Sequence, residues 1–253
     1  MTTTSARPVT VPTGGLADTL RRLSTAQKGA QGAPAYSRFV NRKLGRLLAA
    51  LAFHARLTPN AVTGISALFT ASAVAMLALV RPSWGMGVAA TACLVIGYAF
   101  DAADGQLARL RGGGSPAGEW LDHMVDAAKV SSLHLAVLIG CYRFETVDRG
   151  PLLLVPIGFS FVSAVFFFGM ILNDALRAEH GAVKRTQPTA QRPSVLRSLL
   201  VAPTDYGVLC LVFVLLGAPS VFFPVYSLLF LATGAFLVLA SVKWFREMGR
   251  LGQ

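Results

Sequence analysis

The sequence predicts an all-α integral membrane protein: six transmembrane helices preceded by an interfacial amphipathic helix on the cytosolic side. Three observations carry that prediction. Apolar residues make up 54% of the 253 and charged residues only 14%, against about 25% charged in an ordinary globular chain. Mean hydropathy is +0.57, which leaves too little polar surface to wrap a water-soluble globule and excludes a disordered chain. The charge is one-sided, with 23 Lys and Arg against 12 Asp and Glu, net +11. In a soluble protein that excess points to nucleic acid; in a chain this apolar it marks loops held at an anionic cytoplasmic leaflet, so no nucleic-acid partner is expected. Cys93, Cys141 and Cys210 form no C-x-x-C pair, which argues against a disulfide framework and against zinc.

Residues 1–35 are rich in Thr, Ala, Gly and Pro, with no apolar signal-peptide core, and predict a poorly ordered cytosolic tail. From residue 36 to 250 runs a membrane domain. Between Tyr36 and Leu57, basic residues at 38, 42, 43 and 46 alternate with Phe39, Val40, Leu44, Leu47 and Leu48, the pattern of a helix lying in the interface. Thr58-Pro59 breaks it. A spanning helix needs about 20 mostly apolar residues. Runs of that kind predict spans at about 60–81, 84–109, 119–142 and 151–174. The uncharged stretch Tyr206 to Val242 is too long for one helix and is interrupted by Pro219 and Pro224, so it predicts two spans, about 199–218 and 221–243. With the N-terminus in the cytosol, nineteen of the 23 Lys and Arg fall on the cytosolic side; Arg81, Arg143 and Arg149 lie outside, and Lys129 within a span. The positive-inside rule therefore predicts a multi-pass protein of the cytoplasmic (inner) membrane with both termini cytosolic.

The informative stretch runs from Phe100 to Lys129. Asp101 and Asp104 are three apart near the end of the second span, and Asp122 and Asp126 four apart at the start of the third. On helices each pair shares a face. The Gly-rich connection 111–118 can fold the two helices antiparallel and bring the pairs together near the cytosolic boundary. Intramembrane acids cost roughly 2.5–3.5 kcal/mol each even on the lenient insertion scale. Two carboxylates about 6 Å apart repel by roughly 3 kcal/mol at an effective dielectric of 20. Arg109, Arg111 and Lys129 are too few to cancel four such charges, although an Asp126–Lys129 salt bridge is an alternative for that pair. A hard divalent cation, or two sharing carboxylates, would cancel them; oxygen-only donors favour Mg²⁺ or Mn²⁺. Divalent ions beside an arginine suit phosphate chemistry. Gly105, with Ala108 one turn later, leaves a strip free of bulky side chains where a ligand can approach the backbone.

Written out, the stretch is Asp101-x2-Asp104-Gly105-x2-Ala108-Arg109-x8-Gly118-x3-Asp122-x3-Asp126. It resembles the signature of the CDP-alcohol phosphotransferase family without a departure, at eight fixed positions over 26 residues. The six spans and the amphipathic lead-in are also similar to that family, so the resemblance extends over roughly residues 36–250. It implies a phosphotransferase for substituted phosphate groups, acting in phospholipid biosynthesis, that moves the phosphoalcohol part of a CDP-alcohol onto an acceptor hydroxyl and releases CMP. It implies that Asp101, Asp104, Asp122 and Asp126 ligate a pair of Mg²⁺ or Mn²⁺ ions, and that Asp126 is also the general base. Gly105, Ala108, Arg109 and Gly118 would hold the CDP part, Ser115 would reach its phosphates, and Asn60 and Thr63 look like the first-span residues that touch the nucleotide. Relatives of the family form homodimers, and a homodimer is expected here.

Substrate identity is less legible. The resemblance implies CDP-diacylglycerol as donor and a polar alcohol or alcohol phosphate as acceptor. The loop between spans 4 and 5 carries Lys184, Arg192 and Arg197, which suits an anionic acceptor such as inositol phosphate or glycerol phosphate. The same loop is also basic simply because cytosolic loops are. Residues 37–63 look like inositol-phosphate-handling relatives, some of which use soluble CDP-inositol as donor, so that donor stays open. A transporter with a buried acidic site is the remaining class, disfavoured because the acids cluster at one end of their spans. Asp174 and Asp205 border spans 4 and 5, where a solvent-facing acid is the commoner case.

Overall fold

The computed structural model describes residues 14–25, 34–145, 150–181, 198 and 201–251, and every described element is helical. Lys184, Arg192 and Arg197 lie outside the described residues.

The first element departs from the expectation of a poorly ordered tail over 1–35. Helix α1, Leu16–Thr25, buries Thr19 and Leu23 and packs on the following helix, with Thr19 Oγ1 3.2 Å from His54 Nε2. Leu16, Leu20 and Leu23 recur at helical spacing, a local pattern that the Thr/Ala/Gly/Pro composition of the whole segment conceals.

A π-helical turn, Ser37–Asn41, leads into α2, Arg42–His54. Its inward face is a stripe of small residues, Gly45, Ala49 and Ala52, headed by Asn41. Phe39, Val40, Leu44, Leu47 and Leu51 stay exposed, so the large apolar side chains of this basic helix point away from the protein. A Cβ on Gly45 would lie 2.8 Å from Ala102 Cβ; only the missing side chain lets α2 approach the second long helix so closely.

The long helices begin where their caps dictate. Thr58 accepts from Ala61 N at 3.1 Å and Pro59 opens α3, Pro59–Leu79. Ser83 caps α4, Trp84–Leu110, by accepting from Met86 N. Ser115 caps α5, Pro116–Phe144, by accepting from Gly118 N at 3.1 Å. A side-chain oxygen satisfies one orphan donor in each case, and proline is tolerated at the first helical position. Helix α4 ends on Gly112 and Gly113, with φ of +97° and +132°. These left-handed values favour glycine and let Gly113 N–H donate back to the Ala108 C=O. Helix α6 is Leu154–Glu179. Helix α7, Tyr206–Val212, continues as a 3₁₀ turn, Phe213–Gly217, and α8 is Pro219–Met248.

Five of these helices (α3, α4, α5, α6 with its leading turn, and α8) are long and apolar enough to cross a bilayer. The segment expected as a further span at 199–218 differs: its apolar helical part is Tyr206–Gly217. That is about 20 Å of combined α and 3₁₀ rise, short of the roughly 30 Å hydrocarbon core. Pro219 ends it by opening the next helix.

The main core sits mid-bundle, around Leu94, Leu133, Phe213, Phe222 and Tyr226. Within it His134 is 2.7 Å from Tyr226 Oη through Nδ1 and 3.0 Å from Ser163 Oγ through Nε2, tying α5 to α8 and α6. A smaller core of Leu23, Ala49, Ala50, Val62, Ala103 and Leu107 joins α1, α2, α3 and the end of α4. Outside, Leu68, Phe161, Phe168, Leu228, Leu231, Leu239 and Phe245 are exposed. Such a belt belongs against lipid, and with the five apolar helices it makes the chain an integral membrane protein.

Candidate active site

Asp101 lies about 26 Å along α4 from Trp84 at 1.5 Å per residue, near the far boundary of a bilayer that α4 would enter at its start. Asp122 and Asp126 lie on one face of the opening turns of α5. One oxygen from each of Asp101, Asp122 and Asp126 lies within 4.8 Å of the others. The hairpin thus brings together acids 25 residues apart in sequence.

Asp104 stands slightly aside from the position expected of it. Its Oδ2 accepts a 2.6 Å hydrogen bond from Thr63 Oγ1 of α3, and it falls outside the group of three. It still lines the same cavity as Asp101 and Asp122, a space of about 250 Å³. Asn41, Arg42, Gln106 and Arg109 line it as well. Burial lowers the Arg42 guanidinium from its ordinary pKa, and the nearby Arg38 charge adds to this.

Lys129, one turn beyond Asp126, is buried, with Nζ 3.1 Å from Asp101 Oδ1 and 2.5 Å from Asp126 Oδ1. The salt bridge read as an alternative for Asp126 is therefore present, and it reaches across to α4 as well. One ammonium among three carboxylates leaves this group with two net negative charges. Oxygens on opposite sides of one Mg²⁺ or Mn²⁺ would be about 4 Å apart, so the spacing and the hard-oxygen donors fit such an ion.

Of the other residues singled out in the sequence, Gly118 is placed against Asn60 and Ser115. A Cβ there would lie 3.1 Å from Asn60 Oδ1 and 3.3 Å from Ser115 Oγ. The Ser115 hydroxyl caps α5. At Gly105 a Cβ would lie 3.4 Å from an Arg109 guanidinium nitrogen, so the bare strip holds the Arg109 side chain. Ala108 sits on the last turn of α4, its C=O accepting from Arg111 and Gly113. Asp205, expected to face solvent, is buried. It caps α7 through Gly207 N and accepts from Ser37 N at 3.1 Å, which anchors the start of the α2 segment.

The sequence reading missed Asn41, Arg42, Gln106 and Tyr98 as cavity residues. Asn41 Nδ2 donates to the Tyr98 C=O at 3.1 Å, and Gln106 Nε2 to the Arg42 C=O at 3.3 Å. A carbonyl can only accept, which sets both amide orientations. The buried Asn41 Oδ1 and Gln106 Oε1 are then left without a donor. A polar residue heading the small-residue stripe of α2 was the available signal.

A cavity lined by Asp101, Asp104 and Asp122 together with Arg42 and Arg109 suits phosphorylated substrates. The profile of the CDP-alcohol phosphatidyltransferase family matches residues 56–242, and the chain belongs to that family. It is accordingly a phosphotransferase that moves a phosphoalcohol group from a CDP-alcohol. No curated protein matches the chain significantly.

Proposed function

We propose that the chain transfers the phosphatidyl group of CDP-diacylglycerol to the hydroxyl of a polar alcohol phosphate, of which inositol phosphate is our preferred example, with release of CMP and in dependence on Mg²⁺ or Mn²⁺. The observation that carries this reading is the convergence of Asp101, Asp122 and Asp126 from two helices, beside a cavity that Asp101 and Asp122 line together with Arg42 and Arg109. Asp101, Asp122 and Asp126, with Asp104 beside them, would hold the metal. When bound, it would stabilise negative charge on the phosphoryl oxygens and on the departing CMP.

The chain's own residues supply the rest. Arg42 and Arg109 attract and orient the diphosphate, while Gly118, Asn60 and Ser115 border the nucleotide side. The donor-less oxygens of Asn41 and Gln106 suit a ligand rich in hydroxyl or amine hydrogens. In the transfer the acceptor oxygen bonds to the β-phosphorus. The bond from that phosphorus to the bridging oxygen breaks, and its electron pair leaves on CMP. The acceptor's proton passes to the Asp126 carboxylate as general base. Lys184, Arg192 and Arg197 are assigned to the acceptor's phosphate. In this reading the protein is a homodimer in the cytoplasmic membrane with six crossings and cytosolic termini, α7 and the residues before it making the fifth.

The test is CMP release by detergent-purified protein with Mn²⁺ or Mg²⁺. CDP-diacylglycerol is offered with inositol phosphate, glycerol phosphate, inositol or serine. CMP formed with inositol phosphate supports the full reading. CMP formed only with another acceptor corrects the acceptor. CMP formed only when CDP-inositol replaces the lipid donor corrects the donor. No CMP under any combination refutes the reading.

A further inference from the structure

A lysine deep in an apolar helix is costly, so the placing of Lys129 calls for a function that repays the cost. Its ammonium bridges α5 to α4, bonded to Asp126 Oδ1 and Asp101 Oδ1 at 2.5 and 3.1 Å. A cation shared by the two acidic helices would make the same bridge. The charges point the same way. Asp101, Asp122 and Asp126 contribute three negative charges and Lys129 returns one. Within that group the remainder is the charge of one divalent ion. One oxygen of Asp101 and one of Asp126 are already committed to the ammonium. The other oxygen of each remains for a single ion.

We propose that Lys129 is a positioning residue that permanently supplies one of the two positive centres the resemblance implies. This chain then holds a single divalent cation beside a lysine, where two ions were expected. The inference rests on the metal-dependent reading of the site given above. The ammonium holds Asp126 and Asp101 in register before any ion arrives, and it cannot dissociate into a metal-poor cytosol.

Mn²⁺ is titrated into the full-length protein in detergent, with and without CDP, and bound ions are counted from the loss of the free Mn²⁺ paramagnetic resonance signal. One Mn²⁺ per chain in both conditions is the expected result. Lys129→Met, which removes the charge but keeps the length, should raise the count to two. Lys129→Arg, which keeps the charge, should stay at one. Two ions in the unmodified protein overturn the proposal and leave the metal-dependent reading standing. No bound Mn²⁺ in the unmodified protein sinks that reading as well. A well-folded Lys129→Met protein that still binds one ion also overturns the proposal; should that variant not fold, the count on the unmodified chain decides.

Discussion

Replacing Asp101 by Asn changes one atom and one charge, and the structure says the fold and the activity should respond in opposite directions. Asp101 shares its site with Asp122 and Asp126, oxygens within 4.8 Å. At that separation and an effective dielectric of 20, each pair repels by about 3.5 kcal/mol, so about 7 kcal/mol of repulsion disappears with the charge. The attraction lost is that to Lys129 at 3.1 Å, about 5 kcal/mol on the same scale. Without metal the variant should therefore melt no lower than the parent, and by this order-of-magnitude reckoning it should gain about 2 kcal/mol. With metal the ranking should reverse, because the parent gains binding energy that the variant has lost. CMP release should fall by about a hundredfold or more, the scale seen when a group stabilising transition-state charge is removed. Thermal melting in detergent with EDTA or Mn²⁺, run beside the CMP assay, reads both quantities. A clear drop in melting temperature in EDTA would refute the electrostatic reasoning, since it would make Asp101 a structural partner of Lys129 above all. Full CMP release would remove Asp101 from the site.

Other substitutions separate chemistry from scaffold. Asp126→Asn should abolish CMP release while nucleotide still protects the protein thermally; turnover at the parental rate would disprove its role as base. Thr63→Val removes the 2.6 Å bond to Asp104 and should cost about 1–3 kcal/mol for the lost hydrogen bond to a carboxylate, measured by chemical denaturation in detergent. Gly105→Ala presses on the Arg109 side chain, which is flexible enough to move. It should raise the KM for donor several-fold with little change in melting temperature. His134→Phe breaks contacts to Tyr226 and Ser163 and should lower stability by about 1–2 kcal/mol while leaving the KM for donor unchanged.

Local physics made much of this legible in one dimension. Thr58-Pro59 marks a helix boundary because a hydroxyl there satisfies an orphan amide, and Thr58 is a cap in the structure; Ser115, read as a phosphate contact, is a cap too. Charged and apolar runs mark the long helices because bilayer thickness imposes a length. The Tyr206–Gly217 segment is shorter than that length, since an apolar run bounded by a proline does not reveal where its helix begins. Helix α1 was hidden as well: ten residues with one apolar face vanish in a segment judged by composition.

The acids at 101, 104, 122 and 126 were visible as a group because their spacing places each pair on one face of a helix, whatever surrounds them. Which oxygens meet is a matter of three helices at once. Thr63 of α3 draws Asp104 aside, and Lys129, which reads in sequence as a partner of Asp126 one turn away, reaches across to Asp101 of α4. Asn41 and Gln106 belong to the cavity only because Gly45 lets α2 come close to α4. Periodicity and charge are properties of a chain segment and its solvent, so sequence alone determined the membrane, the five long helices and the acidic hairpin. Cross-helix hydrogen bonds depend on distances between segments that share no local pattern, and only packing decided those.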